Sequence, residues 1–284
     1  MKILVLGATG MAGHTISIYL KESGHDVTAF SRRSFKYCNN IKGDITDFNF
    51  LGSSIKNGEY DAVINAVGLL NKGAEGDKAY AILLNSYLPH FLSKITENLP
   101  TKIIHMSTDC VFSGKKGGYT EKSFRDGETF YDRSKALGEL ENDNDLTFRN
   151  SIVGPDMNKD GIGIFNWFMN QNSQIKGFTK AIWTGVTTLT LAKAMEKALE
   201  QNLTGLYNLV NNEYISKFDL LCLFNKYMKN GILEIIPSES FTADKSLINT
   251  RSDFPFKVPS YEDMVSEMKD WIYSHKELYP HYFK

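Results

Sequence analysis

The stretch Ile3-Leu4-Val5-Leu6-Gly7-Ala8-Thr9-Gly10-Met11-Ala12-Gly13 decides the fold. Four apolar residues in a row predict a buried strand, and the glycines follow it at once. Residues 11–23 then read as a helix that Gly24 ends. Gly7 suits a tight turn, Gly10 lets backbone approach a pyrophosphate, and Gly13 lets the helix pack close to the strand. The helix N-terminus adds unpaired N–H groups and a partial positive charge. Gly7, Thr9, Gly10, Met11 and Gly13 are therefore expected to hold the phosphates of a dinucleotide. The spacing is G-x-x-G-x-x-G, one residue longer than the commonest dinucleotide fingerprint.

Outward from this turn the pattern alternates. Strands are expected at 26–30, 61–65, 102–106 and 146–149, and helices at 78–98 and 131–141. Such alternation predicts an α/β fold, a Rossmann-type doubly wound parallel sheet with helices on both faces. Beyond about residue 150 the pattern loosens. Helices are expected at 161–170, 189–201, 216–229 and 261–274, with a short strand at 205–210. Residues 1–155 thus read as the dinucleotide-binding domain. Residues 156–284 read mainly as a small C-terminal α/β substrate lobe whose chain can cross back to the sheet.

The second strand ends at Phe30 and leads into Ser31-Arg32-Arg33, with no carboxylate where an NAD site places one for the ribose 2′-hydroxyl. Two guanidiniums and a hydroxyl suit a 2′-phosphate, which arginine grips bidentately. NADP is the expected cofactor, with NAD the alternative. Asp44 either meets the adenine or caps the next helix.

Bulk properties exclude several classes. The 32 basic and 33 acidic side chains nearly cancel, so no global field draws the protein to nucleic acid or to an anionic membrane. No apolar run approaches the ~20 residues of a spanning helix. Three scattered cysteines form neither a disulfide framework nor a zinc spacing, and a reducing cytoplasm is expected. His14, His25, His90 and His105 follow no metal-ligand spacing and read as structural.

Two segments carry chemistry. Ser107-Thr108-Asp109 follows the strand ending at Met106, and Tyr131-Asp132-Arg133-Ser134-Lys135 begins a helix. Residues four apart share a helix face, so Tyr131 and Lys135 point the same way. A phenol titrates near 10, and a nearby ammonium is expected to lower that value and make Tyr131 an acid–base group. Thr108 stands at a strand's carboxyl end, where ligands bind in this architecture. It is expected to orient a carbonyl.

With these motifs the chain resembles the extended short-chain dehydrogenase/reductases. Gly7-x-x-Gly10-x-x-Gly13, Asn65-Ala66-Val67-Gly68, Thr108 and Tyr131/Lys135 carry the likeness, which implies that Asn65, Ala66 and Val67 stand beside the cofactor. Within that family it is most similar to the dTDP-4-dehydrorhamnose reductase branch. That likeness rests on Ser107–Gly114, Tyr131-x-x-Ser134-Lys135-x-x-Gly138-Glu139, Arg149-Asn150-Ser151-x-x-Gly154, and Asn85 with Pro89. The resemblance implies an NADPH-dependent reductase of a nucleotide-linked 4-keto-6-deoxysugar, a cytoplasmic enzyme of deoxysugar and polysaccharide biosynthesis that can form a homodimer. Hydride goes to the sugar carbonyl, Tyr131 donates the proton, and Lys135 bonds the nicotinamide ribose. Ser107, Asp109, Asn150, Trp183 and Arg251 are the substrate-side candidates, the last two for stacking on a base or gripping a diphosphate. Residues 157–168 are a candidate lining of the sugar pocket. Cys110, Ser113 and Gly185-Val186-Thr187 depart from that branch on the substrate side, which leaves the sugar and the nucleotide open. A non-catalytic NADP-binding relative and a nucleotide-sugar epimerase are the alternatives.

Overall fold

The computed structural model describes residues 1–283. The first half runs β1 (Lys2–Leu6), α1 (Met11–Glu22), β2 (Asp26–Ser31), β3 (Asn39–Lys42), α2 (Phe48–Gly58) and β4 (Ala62–Asn65). Next come α3 (Asn71–Gly76), α4 (Lys78–Ala81), a π-helical turn (Ile82–Tyr87), α5 (Leu88–Thr96), β5 (Lys102–Ser107), α6 (Phe130–Leu137) and β6 (Leu146–Arg149). The second half contains β7 (Ser151–Val153), α7 (Ile164–Met169), β8 (Ile175–Trp183), β9 (Gly185–Thr187), α8 (Thr188–Glu200) and β10 (Gly205–Asn208). It ends with β11 (Ile215–Ser216), α9 (Lys217–Met228), β12 (Ile235–Asp244) and α10 (Tyr261–Ser274).

Seven strands form one parallel sheet in the order β10-β6-β5-β4-β1-β2-β3. The order reverses between β1 and β4, which is where such folds bind ligands. β1 shows why the sheet is covered on both faces. Ile3 and Val5 pack into one core cluster with α1 and α8, whereas Leu4 and Leu6 pack into another with α2 and α5. Alternate side chains leave opposite faces of a strand, so a continuous apolar run needs cover on both sides.

The expected 78–98 helix is one helical run with a π-helical turn at its centre. The widened turn carries Asn85 and Ser86 against α6. Asn85 Nδ2 donates to Ser134 Oγ (3.0 Å), and Ser86 Oγ donates to the Ser134 carbonyl (2.7 Å). Single π turns of this sort often stand at functional sites.

The second half is not a detached unit. β10 joins the edge of the large sheet, and α8 lies against α1 in the shared core. A smaller sheet in the order β11-β8-β12 stands apart, with α9 packed on β8. No helix among the described residues is long and apolar enough to cross a membrane.

The C-terminal segment returns to the glycine turn. His14 is fully buried, and its Nδ1–H donates to the Gly10 carbonyl (2.9 Å). Its Nε2 accepts from the Tyr279 hydroxyl (2.8 Å), which in turn accepts from Trp271 Nε1 (3.1 Å). Burial, opposed by the Gly10 carbonyl, pulls the His14 pKa down to about 4. The folded value thus lies below the ordinary 6.5. The unfolded chain binds more protons between those values, so His14 stabilises fully above pH 6.5 and progressively less below it. About 2 kcal/mol is expected to disappear between pH 7 and pH 5. Urea unfolding at both pH values checks this against His14→Gln, which should lose less. Parallel behaviour of the two proteins would contradict it.

Candidate active site

The carboxyl ends of β1, β2, β4, β5 and β6 converge on one mouth. Gly7 follows β1 with φ +79°, a left-handed conformation that glycine adopts without strain. A Cβ at Gly13 would lie 2.2 Å from the Gly7 carbonyl oxygen, so α1 sits closer to β1 than any side chain permits. The Asn65–Val67 turn packs on this loop, since a Cβ on Gly7 would meet Val67 Cγ2 at 3.0 Å. Residues 157–168 run toward the same place, where Gly163 lies beside Met11 Sδ.

Arg32 and Arg33 are exposed beyond β2. Ser31 is turned inward, donating to the Arg33 carbonyl (2.6 Å) and accepting from Asn40. Asp44 accepts from Thr46 N and Oγ1 (2.9 and 2.8 Å), while the cap of α2 is Asp47. Asp44 lies near Arg32, which helps to hold its carboxyl below the usual range after the Thr46 hydrogen bonds.

Thr129 starts α6 with a capping box shared with Asp132. This fixes the first turn and with it Tyr131. Tyr131 and Lys135 are both buried, and Thr108 stands beside the phenol. Thr108 Oγ1 also accepts from Cys110 N and donates to Asp109 Oδ1 (both 3.1 Å). Burial raises the Asp109 carboxyl, opposed by Thr108 and then by Lys245 and Lys217 of the second half.

The protonation of Tyr131 runs opposite to the sequence expectation. Burial pushes the phenol up, Cys110 adds to this, and Thr108 beside it only partly opposes. The Lys135 ammonium is itself weakened by its surroundings. Burial pulls Lys135 down to about 8, against the opposing charge of Glu139. Its Nζ donates to the Met106 carbonyl (2.6 Å). Tyr131 is held as a protonated phenol.

Several substrate-side candidates point elsewhere. Ser107 Oγ donates to Glu139 (2.5 Å), inside a buried network with Arg149 and Arg125. Trp183 is buried; its indole N–H donates to Ser151 Oγ (2.8 Å) and its ring meets Tyr261. It supports the strand after Asn150. Arg251 lies at the amino end of β10, donating to the Thr204 and Leu206 carbonyls and to Asp253. Its donors are engaged away from the strands' carboxyl ends, so the expected diphosphate grip is corrected to a structural clamp.

Asn150 behaves differently. It follows β6 at the mouth, and its Oδ1 is buried without a hydrogen-bond partner among the described residues. An unpaired buried acceptor costs about 1–3 kcal/mol, so its retention points to a ligand group. Sequence reasoning missed Lys217 and Lys245. They reach the site from α9 and from the end of β12, and only the fold brings them to Asp109. Among the described residues, no group of three or more His, Cys, Asp or Glu is arranged to hold a metal ion.

This sheet order, glycine turn and Thr108–Tyr131–Lys135 grouping define an α/β protein with the extended short-chain dehydrogenase/reductase fold. The chain belongs to the RmlD substrate binding domain family, which matches residues 1–245. It is 30% identical over 142 residues to the spore coat polysaccharide biosynthesis protein SpsK of Bacillus subtilis, covering 49% of this chain and 47% of that one. It is 32% identical over 159 residues to the dTDP-4-dehydrorhamnose reductase of Burkholderia thailandensis, covering 54% and 50%. The chain thus matches about half the length of these curated relatives. The structure of the Bacillus anthracis dTDP-4-dehydrorhamnose reductase, in complex with NADP, superposes with a TM-score of 0.80 at 20% identity. That match covers 94% of this chain and 99% of the other, and at such identity it speaks for the fold.

Proposed function

We propose that this chain reduces the carbonyl of a nucleotide-linked 4-keto-6-deoxysugar with NADPH. The observation that carries the reading is the buried Thr108–Tyr131 pair, one helical turn from Lys135, at the mouth beside the glycine turn. The close Gly7–Gly13 approach leaves room for a pyrophosphate on the N-terminus of α1. Arg32 and Arg33 favour the 2′-phosphate of NADP.

When bound, the dinucleotide supplies the hydride. The protein's own groups then handle the oxygen. Thr108 orients the carbonyl, and Tyr131 gives its proton to the developing alkoxide. A phenol raised by burial is in the right form to donate. Lys135 bonds the nicotinamide ribose, and Asn150 Oδ1 accepts a hydroxyl of the substrate.

NADPH oxidation against dTDP-, UDP-, GDP- and CDP-linked 4-keto-6-deoxysugars tests the reading. Stoichiometric NADPH consumption with at least one of them is expected. Dinucleotide binding with silence across the panel would overturn it, and product formation without net NADPH consumption would indicate an epimerase.

A further inference from the structure

Behind Lys135 lies a buried imidazole that the reaction above does not use. His105 on β5 pairs in register with Asn65 on β4, and both are completely buried. Asn65 Oδ1 accepts from the Val67 backbone N–H (3.1 Å), which fixes the amide's orientation. Its Nδ2 therefore faces His105 Nδ1 (3.1 Å). An amide NH2 only donates, so Nδ1 is the acceptor and carries no proton. Burial keeps the imidazole neutral, with Lys135 and then His90 acting in the same direction. The one ring proton sits on Nε2, 3.5 Å from Lys135 Nζ.

That geometry makes the two charge states of Lys135 unequal. An ammonium has no lone pair and opposes the Nε2–H with an N–H of its own. An amine accepts the Nε2–H while still donating to the Met106 carbonyl. We propose that His105, its tautomer set by Asn65, is a positioning residue that acts through Lys135 by favouring the uncharged amine. The other charged groups facing the pair are few. Glu139, just beyond α6, favours the ammonium, but it is already paired with Arg149 and Arg125. Tyr131, one turn earlier, is held neutral. His105 and burial thus act together against Glu139, which places Lys135 where it changes charge near the working pH.

The inference rests on Lys135 belonging to the proposed site, but its test does not need turnover. Nitrogen-15 NMR of His105 in the intact protein should find the proton on Nε2, and a proton on Nδ1 would overturn the proposal. Two variants then alter the tautomer or the ring. In Asn65→Asp a carboxylate accepts from Nδ1–H and leaves Nε2 as an acceptor for the ammonium. In His105→Gln the amide oxygen can do the same. Both should move the Lys135 Nζ titration up by ~1 pH unit or more, with the basic limb of any NADPH-oxidation profile moving in step. An unmoved Lys135 titration in a folded variant sinks the idea. A moved titration with no turnover on any nucleotide sugar would sink the reductase reading and leave this one standing.

Discussion

Tyr131→Phe is expected to reduce NADPH-dependent turnover by about 10²–10⁴-fold, the range that a positioned general acid supplies. Dinucleotide affinity should stay within a few fold. The phenyl ring keeps its packing against Ala74 and Ala81, so the fold should tolerate the change. Only the hydroxyl beside Thr108 is lost, and with it the transferable proton. Single-turnover kinetics alongside NADPH fluorescence titration separate the two quantities. Unchanged turnover would mean that another group protonates the alkoxide. Asp109 would then be the first to examine, since its carboxyl is buried and raised.

Glu139→Ala should destabilise the protein by about 3–5 kcal/mol, because it strands a buried charge. Arg149 is fully buried and donates through Nε and Nη2 to Glu139 (2.8 and 2.6 Å). Its Nη1 reaches only the Thr120 carbonyl and Asn208 Oδ1, both at 3.4 Å. The guanidinium stands over the Phe112 ring, 5.0 Å from its centroid, and that contact alone does not neutralise it. Glu139 also accepts from Ser107 at the end of β5, so the network ties α6 to β5 and β6. Chemical denaturation should show a lower midpoint with an unchanged slope. A loss below about 1 kcal/mol would mean that water reaches Arg149 in the variant.

Glu139 also illustrates the limits of reading along the chain. It lies just past Gly138 in a stretch whose spacing continues the helix, and nothing local announces a buried carboxylate. Its burial follows from α6 ending at Leu137, which turns the chain toward β5 and β6. Ser107 shows the reverse error. A hydroxyl at a strand's carboxyl end reads as a substrate contact, yet Glu139 lies closer and takes it. Arg251 and Trp183 misled for the same reason. The Thr204 and Leu206 carbonyls that Arg251 grips and the Ser151 hydroxyl that Trp183 meets lie in distant segments, and local pattern carries no trace of them.

The two long strands that local pattern missed share a cause. β8 and β12 alternate poorly and leave many side chains half-exposed. They are held by pairing with each other and by α9, not by a buried apolar run. The π-helical turn is invisible to periodicity, because one inserted residue shifts the apolar stripe without ending it. It nonetheless sets Asn85 and Ser86 against Ser134.

By itself the sequence determined the parallel sheet, the glycine turn and the shared helix face of Tyr131 and Lys135. The glycine turn and the helix face depend on residues within about one turn of each other, where backbone geometry dictates placement, and the parallel sheet follows from strand–helix alternation along the chain. Tertiary structure decided the protonation of that site. Whether Lys135 lowers the Tyr131 pKa or burial raises it is a contest between charge and desolvation. The outcome depends on what α6 is packed against: Met106 and His105 beneath Lys135, and Thr108 and Cys110 beside Tyr131.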